Sequence, residues 1–190
     1  MGNLAEKSVV AAAKTKEITG KPASVDEQEV RSRYDRLTRL LIESKKQVTT
    51  MESCTSGQVA SLITDTEGAS AVLKGAYVTY SNEAKIAAGV PAEIIDEYGV
   101  YSAETAAAMS DACRISMKAD IGIGITGSFG NADPNNADSI PGEVYFALST
   151  EEGIECFHCT VPVQVSRLAY KLYMADAIVD KMLERLNMAG

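Results

Sequence analysis

Residues 47–57 read Gln-Val-Thr-Thr-Met-Glu-Ser-Cys-Thr-Ser-Gly, and the fold turns on how this stretch is read. Val48, Thr49 and Thr50 are β-branched and suit extended backbone. From Ser56 onward the apolar spacing becomes helical. Thr55 and Gln58 stand in the T-x-x-Q spacing of a capping box, so Thr55 is expected to hold the first free N–H groups of that helix. Ser53 then lies in a strand-to-helix turn, at the positive end of a helix dipole. A hydroxyl beside unpaired backbone N–H groups suits an oxyanion or a phosphate, and equally an ordinary helix cap.

Outward from this turn the chain alternates helices and strands. Upstream, Ser24 and Glu27 form a second capping box opening a helix to about Ser44, with Val30, Tyr34, Leu37 and Leu41 on its inner face. Residues 1–23 mix Ala, Lys, Thr and Glu around Gly20 and Pro22 and read as a disordered tail, leaving 24–190 as a single domain. Downstream, a helix to about Thr64 buries Val59, Leu62 and Ile63. A strand over Lys74–Tyr80 follows, then a short helix capped by Ser81, and another bracketed by Pro91 and Gly99. Ser102 opens a longer helix to about Met117. Asp120–Ile125 is a strand whose glycines demand a helix packed close against it. A loop rich in Gly, Asn, Asp and Pro runs from Ser128 to Pro141. Glu143–Ser149 and Ile154–Val161 read as an antiparallel pair. The last helix spans about Val163–Leu186, with Leu168, Leu172, Ala175, Val179 and Met182 inward. The pattern predicts an α/β fold, a three-layer α/β/α sandwich with a mixed β-sheet.

Composition narrows the chemistry. A formal charge of −8 argues against nucleic acid, which needs a basic face. An anionic small molecule must therefore be met by local donors. No apolar run approaches the ~20 residues of a membrane span. The four cysteines, Cys54, Cys113, Cys156 and Cys159, follow no secretory signal peptide and fit a reduced, cytoplasmic setting. A single histidine, His158, excludes multi-histidine metal sites. It also makes a lysine or tyrosine the natural base for any serine nucleophile.

Lys85 falls in the first turn of its short helix, where the dipole disfavours a cation and would tune the amine toward a general base. The alternative is a solvated surface lysine; Tyr80, Asn82 and the upstream Ser53 set it apart. Cys156-Phe157-His158-Cys159 mimics a metal-binding C-x-x-C, but residues three apart on a strand point to opposite faces. Neither a metal nor a cofactor is expected. Cys54, beside Ser53, is either a nucleophile or a small buried filler behind the turn.

Three segments taken together resemble the CinA C-terminal domain family. They are E-S-C-T-x-G at Glu52–Gly57, G-A-Y-V-T-Y-S-N-E-A-K at Gly75–Lys85, and D-I-G-I-G-I-T-G at Asp120–Gly127. The likeness covers about residues 27–188 and keeps the family's order and its Ser53-to-Lys85 spacing. Its characterised members are nicotinamide-nucleotide amidases, which convert nicotinamide mononucleotide to nicotinate mononucleotide and ammonia without metal. The resemblance implies Ser53 as nucleophile, Lys85 as base and Tyr80 as the hydroxyl that assists proton transfer or orients the lysine. It implies substrate contacts from the turn Cys54, Thr55, Ser56 and Gly57 and from Thr126 and Gly127. It further implies a small-molecule nucleotide as partner, no nucleic acid or membrane, and a homo-oligomer such as a dimer.

This chain departs from the family at three places. Ser56 replaces the first glycine of T-G-G, adding a side chain where the backbone approaches a ligand. Ser128-Phe129-Gly130-Asn131 and an Asp/Asn-rich loop replace a glycine-rich segment. Thr160-Val161-Pro162-Val163 replaces G-D-R, with Arg167 the nearest arginine. The chemistry looks retained and the substrate side altered. A non-catalytic nucleotide-binding relative and an amidase for a different small carboxamide therefore stand beside the nicotinamide mononucleotide amidase.

Overall fold

The computed structural model describes residues 14–130, 136 and 139–188. Two short strand residues, β1 (Lys16–Glu17), precede helix α1 (Glu27–Ser44). Strand β2 (Val48–Glu52) leads into α2 (Gln58–Thr64), a single 3-10 turn (Ala69–Ala71) and β3 (Leu73–Val78). Helices α3 (Asn82–Ala87), α4 (Ala92–Tyr98) and α5 (Ala103–Met117) follow. The chain ends with β4 (Ile121–Gly127), β5 (Glu143–Thr150), β6 (Gly153–Thr160) and α6 (Arg167–Met188).

The strands form one six-stranded mixed sheet in the order β1-β6-β5-β4-β2-β3. Strands β3, β2 and β4 are mutually parallel, while β5 runs antiparallel to β4 and to β6. Val30, Tyr34, Leu37 and Leu41 of α1, with α2 and α6, cover one face. Met51, Met109 and the α4–α5 region cover the other. This is the expected three-layer α/β fold. Burying each such Leu or Val contributes about 1.5–3 kcal/mol, and β2 runs inside the sheet between β3 and β4. All five of its residues are buried. Gly122 and Gly124 let α5 close onto β4: a Cβ at Gly124 would sit 2.2 Å from the Ala106 carbonyl oxygen.

The Ser81 and Ser102 caps form as expected, accepting from the Ala84 and Thr105 N–H groups at 3.1 Å each. Cys156 and Cys159 fall into different core clusters, on opposite faces of the sheet.

Several expectations need correction. Asp26, not Ser24, caps α1, accepting from Glu29 N–H, because the helix starts only at Glu27. Leu168 is 48% exposed. The last helix begins at Arg167, four residues later than expected, which turns the inward stripe past that position. Residues 14–23 are not a loose tail. Lys16 and Glu17 pair with Phe157 and His158 of β6, and Lys21 forms ion pairs with Asp176 and Asp180. Residues 1–13 lie outside the described residues, as do most of the loop residues between Gly130 and Ser139.

Candidate active site

Parallel strands β2, β3 and β4 end at one edge of the sheet, and the turn after β2 opens there, where open α/β sheets bind ligands. Ser53 N–H donates to the Ile125 carbonyl at 3.0 Å, so the backbone of β4 fixes the nucleophile candidate at the strand mouth. The chain then enters the left-handed region at two successive residues, Ser56 (φ 51°) and Gly57 (φ 85°). That tight swing brings the Ser56 N–H onto the Ser53 carbonyl at 3.0 Å and delays the helix until Gln58.

This delay overturns the capping box expected at Thr55. The N-cap is Gly57, which has no side chain to cap with. Thr55 is left too far upstream, and its buried hydroxyl has no hydrogen-bond partner among the described residues; that of Thr79 has none either. Glu52 does the capping instead. Its Oε2 accepts from Val59 N–H at 3.2 Å and its Oε1 from Ala60 N–H at 2.9 Å. The Thr50 hydroxyl adds a third donor at 3.1 Å. The sequence reading missed Glu52. The signal was a carboxylate ending an otherwise uncharged strand, directly before a helix whose own start lacks a capping side chain.

Lys85 meets Ser53. Its Nζ donates to Ser53 Oγ at 3.2 Å and to the Thr79 carbonyl at 2.9 Å. Ser53 is 6% exposed and Lys85 only 1%. The dipole argument for Lys85 does not hold: α3 has six residues and Lys85 lies in its last turn, so neither helix end dominates.

Tyr80 is not brought to this pair. It is 63% exposed, and its hydroxyl accepts from Arg167 at 3.2 Å, because β3 ends at Val78 and Tyr80 lies beyond the buried edge. Arg167 also stacks 5.1 Å over the Phe129 ring, which lies against Tyr170. The charges of Arg167 and Lys85 both favour the thiolate of Cys54, next to Ser53. That thiol is nevertheless pushed up to about 12, chiefly by burial and next by Glu52, so Cys54 is an inert filler and not a nucleophile.

Thr126 and Gly127 end β4 beside the turn. The Thr126 hydroxyl is buried and donates to the Val100 carbonyl at 2.7 Å, and Gly127 packs on the backbone of Glu143 and Val144. Asn82, at the start of the Lys85 helix, donates to Asn136 of the 128–141 loop at 3.2 Å. Among the described residues no cluster of His, Cys, Asp or Glu is arranged to hold a metal ion. No described helix is long and apolar enough to cross a membrane.

Comparison with known proteins agrees with this architecture. A CinA-like protein of Flavobacterium psychrophilum is 38% identical over 121 residues, 62% of this chain but only 28% of that relative's length. The chain thus spans less than a third of the curated relative it matches. The crystal structure of the competence/damage inducible protein CihA from Agrobacterium tumefaciens is 26% identical with a TM-score of 0.75, covering 86% of this chain and 99% of its own. A CinA superfamily protein of Klebsiella pneumoniae is 25% identical with a TM-score of 0.76, covering 84% and 98%. A family profile described as the CinA C-terminal domain matches residues 30–186. The chain belongs to the CinA C-terminal domain family.

Proposed function

We propose that the protein is an amidase that hydrolyses the carboxamide of nicotinamide mononucleotide, giving nicotinate mononucleotide and ammonia. The observation that carries this reading is the 3.2 Å hydrogen bond between Lys85 Nζ and Ser53 Oγ in a site closed to bulk water. Ser53 Oγ attacks the amide carbon and its proton passes to the Lys85 amine. Lys85 returns that proton to the leaving nitrogen, which departs as ammonia. Water then attacks the resulting ester, releases the acid and restores the serine hydroxyl.

The oxyanion is met by the turn. Ser53, Ser56 and Gln58 spend their N–H groups on backbone carbonyls, whereas those of Cys54, Thr55 and Gly57 donate to no other backbone group among the described residues. The substrate's phosphate is met by Arg167, for which no carboxylate lies within ion-pair distance among the described residues. In a chain of formal charge −8, such a local cation is what an anionic substrate requires.

Tyr80 points toward Arg167 instead of Lys85, and this favours a second reading, a relative that binds the nucleotide without turnover. Calorimetry with nicotinamide mononucleotide, run beside an ammonia assay on the same sample, separates the two. The amidase releases ammonia stoichiometrically with acid. Binding without ammonia supports the second reading, and the absence of both signals sends the search to a panel of other small carboxamides.

A further inference from the structure

Among the described residues only two buried side-chain oxygens or nitrogens lack a hydrogen-bond partner, the hydroxyls of Thr55 and Thr79. Both residues belong to the candidate active site. Thr55 lies two positions after Ser53, and Thr79 carries the carbonyl that holds Lys85 Nζ at 2.9 Å. By contrast, Thr50 on β2 and Thr126 on β4 spend their hydroxyls on Glu52 and on the Val100 carbonyl. A buried hydroxyl without a partner destabilises the free protein, so two at one site mark a place where a bound molecule supplies what is missing.

The sheet fixes which way Thr79 faces. Met51 and Tyr77 are register partners on β2 and β3, and both pack into the core formed with α4 and α5. Val78 faces the other way, toward Gly57, where a Cβ would meet it at 3.4 Å. Alternation returns the next residues of each strand, Ser53 and Thr79, to the Met51 face. The pairing persists to that point, because Thr79 N–H donates to the Glu52 carbonyl at 2.9 Å and Ser53 N–H to that of Ile125 at 3.0 Å. Ser53 and Thr79 are thus same-face neighbours on adjacent strands, which run about 4.8 Å apart. Lys85 Nζ joins the hydroxyl of the first to the carbonyl of the second.

We propose that Thr79 is a substrate-contacting residue whose hydroxyl accepts a hydrogen bond from the nitrogen of the carboxamide. The inference rests on Ser53 and Lys85 acting as nucleophile and base. Once Ser53 Oγ has added to the amide carbon, the C–N bond breaks as the nitrogen takes up the proton that Lys85 carries. The nitrogen lone pair must then face Lys85, and its two N–H bonds must point elsewhere. The N–H groups of the turn are donors and cannot receive them, nor can an ammonium, which has no lone pair. The Thr79 hydroxyl offers lone pairs on the strand beside Ser53, and its own proton stays in place throughout. Tyr80, the other hydroxyl of this segment, is turned out to Arg167.

The test compares wild type, Thr79→Val and Thr79→Ser by ammonia release from nicotinamide mononucleotide, by fluorophosphonate labelling of Ser53 and by thermal melting. Thr79→Val keeps the shape and loses the hydroxyl. Its ammonia release should fall about tenfold or more, the loss of one hydrogen bond to the reacting group. Labelling should be far less affected, since fluoride leaves with no N–H bonds to orient. The melting temperature should equal or exceed that of wild type, because an unpaired hydroxyl has left the interior. Thr79→Ser, which keeps a hydroxyl, should restore ammonia release. A Thr79→Val protein that melts lower and is slowed equally in both reactions makes Thr79 a structural residue and overturns the proposal. Ammonia release by Thr79→Val at the wild-type rate overturns it as well. Should Thr79→Val not fold, Thr79→Ala must show the same split between ammonia release and labelling. Wild type that releases no ammonia removes the amidase reading and the inference with it, a result distinct from a Thr79→Val enzyme as fast as wild type.

Discussion

At the scale of single residues, the site is built from side chains in unfavourable settings. Lys85 is buried, Glu52 is buried, and Ser56 adopts a left-handed backbone that costs a non-glycine residue about 1 kcal/mol. Ser56 recovers part of this through a long hydrogen bond from its hydroxyl to the Ser53 carbonyl, at 3.3 Å. Ser56→Gly should therefore stabilise the fold by about 0.5–1 kcal/mol, raising the melting temperature by roughly 2 °C. A thermal melt checks this, and a lower melting temperature would mean that the hydroxyl contributes more than the backbone strain costs. Ser53 and Lys85 were singled out in the sequence chiefly by the motifs that resemble the family, since the local arguments, a capping box at Thr55 and a helix dipole at Lys85, did not hold. The role of Glu52 was not legible, since it depends on two consecutive left-handed residues that no apolar spacing reports. Tyr80 was misjudged for a related reason, as alternation along β3 does not reveal that the strand stops two residues earlier.

At the scale of elements, the packing of α5 on β4 keeps the parallel strands in register, and with them the site. The I-G-I-G-I stretch announces this contact in the sequence, because nothing but a closely approaching backbone explains alternate glycines in a buried strand. A Cβ at Gly124 would lie 2.2 Å from Ala106 O and 2.4 Å from Ser110 N, both backbone atoms of a helix that cannot shift singly. Gly124→Ala should thus lose about 3 kcal/mol or more in urea denaturation, and a loss under 1 kcal/mol would mean that α5 floats on the sheet. Helices whose caps directly precede them, such as those after Ser81 and Ser102, were readable. The start of α6 was not. Val163 and Val165 continue the apolar pattern before the helix but are almost wholly exposed, so the pattern carried on past the structure.

At the scale of the whole molecule, a mixed sheet with helices on both faces follows from the alternation of helical and extended segments, whereas the strand order emerges only from the structure. Nor does the placement of residues 14–23 follow from it, because polar composition hides ion pairs made with distant partners. Arg33 of α1 and Lys21 together meet Asp176 and Asp180 of α6, and this anchors the segment across the helical layer. Such a frame leaves the carboxyl edge of β2, β3 and β4 as the place where side chains from β2, α3 and α6 converge. The central claim is that two of them, the Ser53 hydroxyl and the Lys85 amine, work as one nucleophile–base unit. The direct test is ammonia release from nicotinamide mononucleotide by wild type, Ser53→Ala and Lys85→Ala, with folding verified by melting. Each substitution should lower the rate at least about a thousandfold, and the double substitution should cost little more than either alone. A folded Ser53→Ala protein that releases ammonia at the wild-type rate would contradict the account.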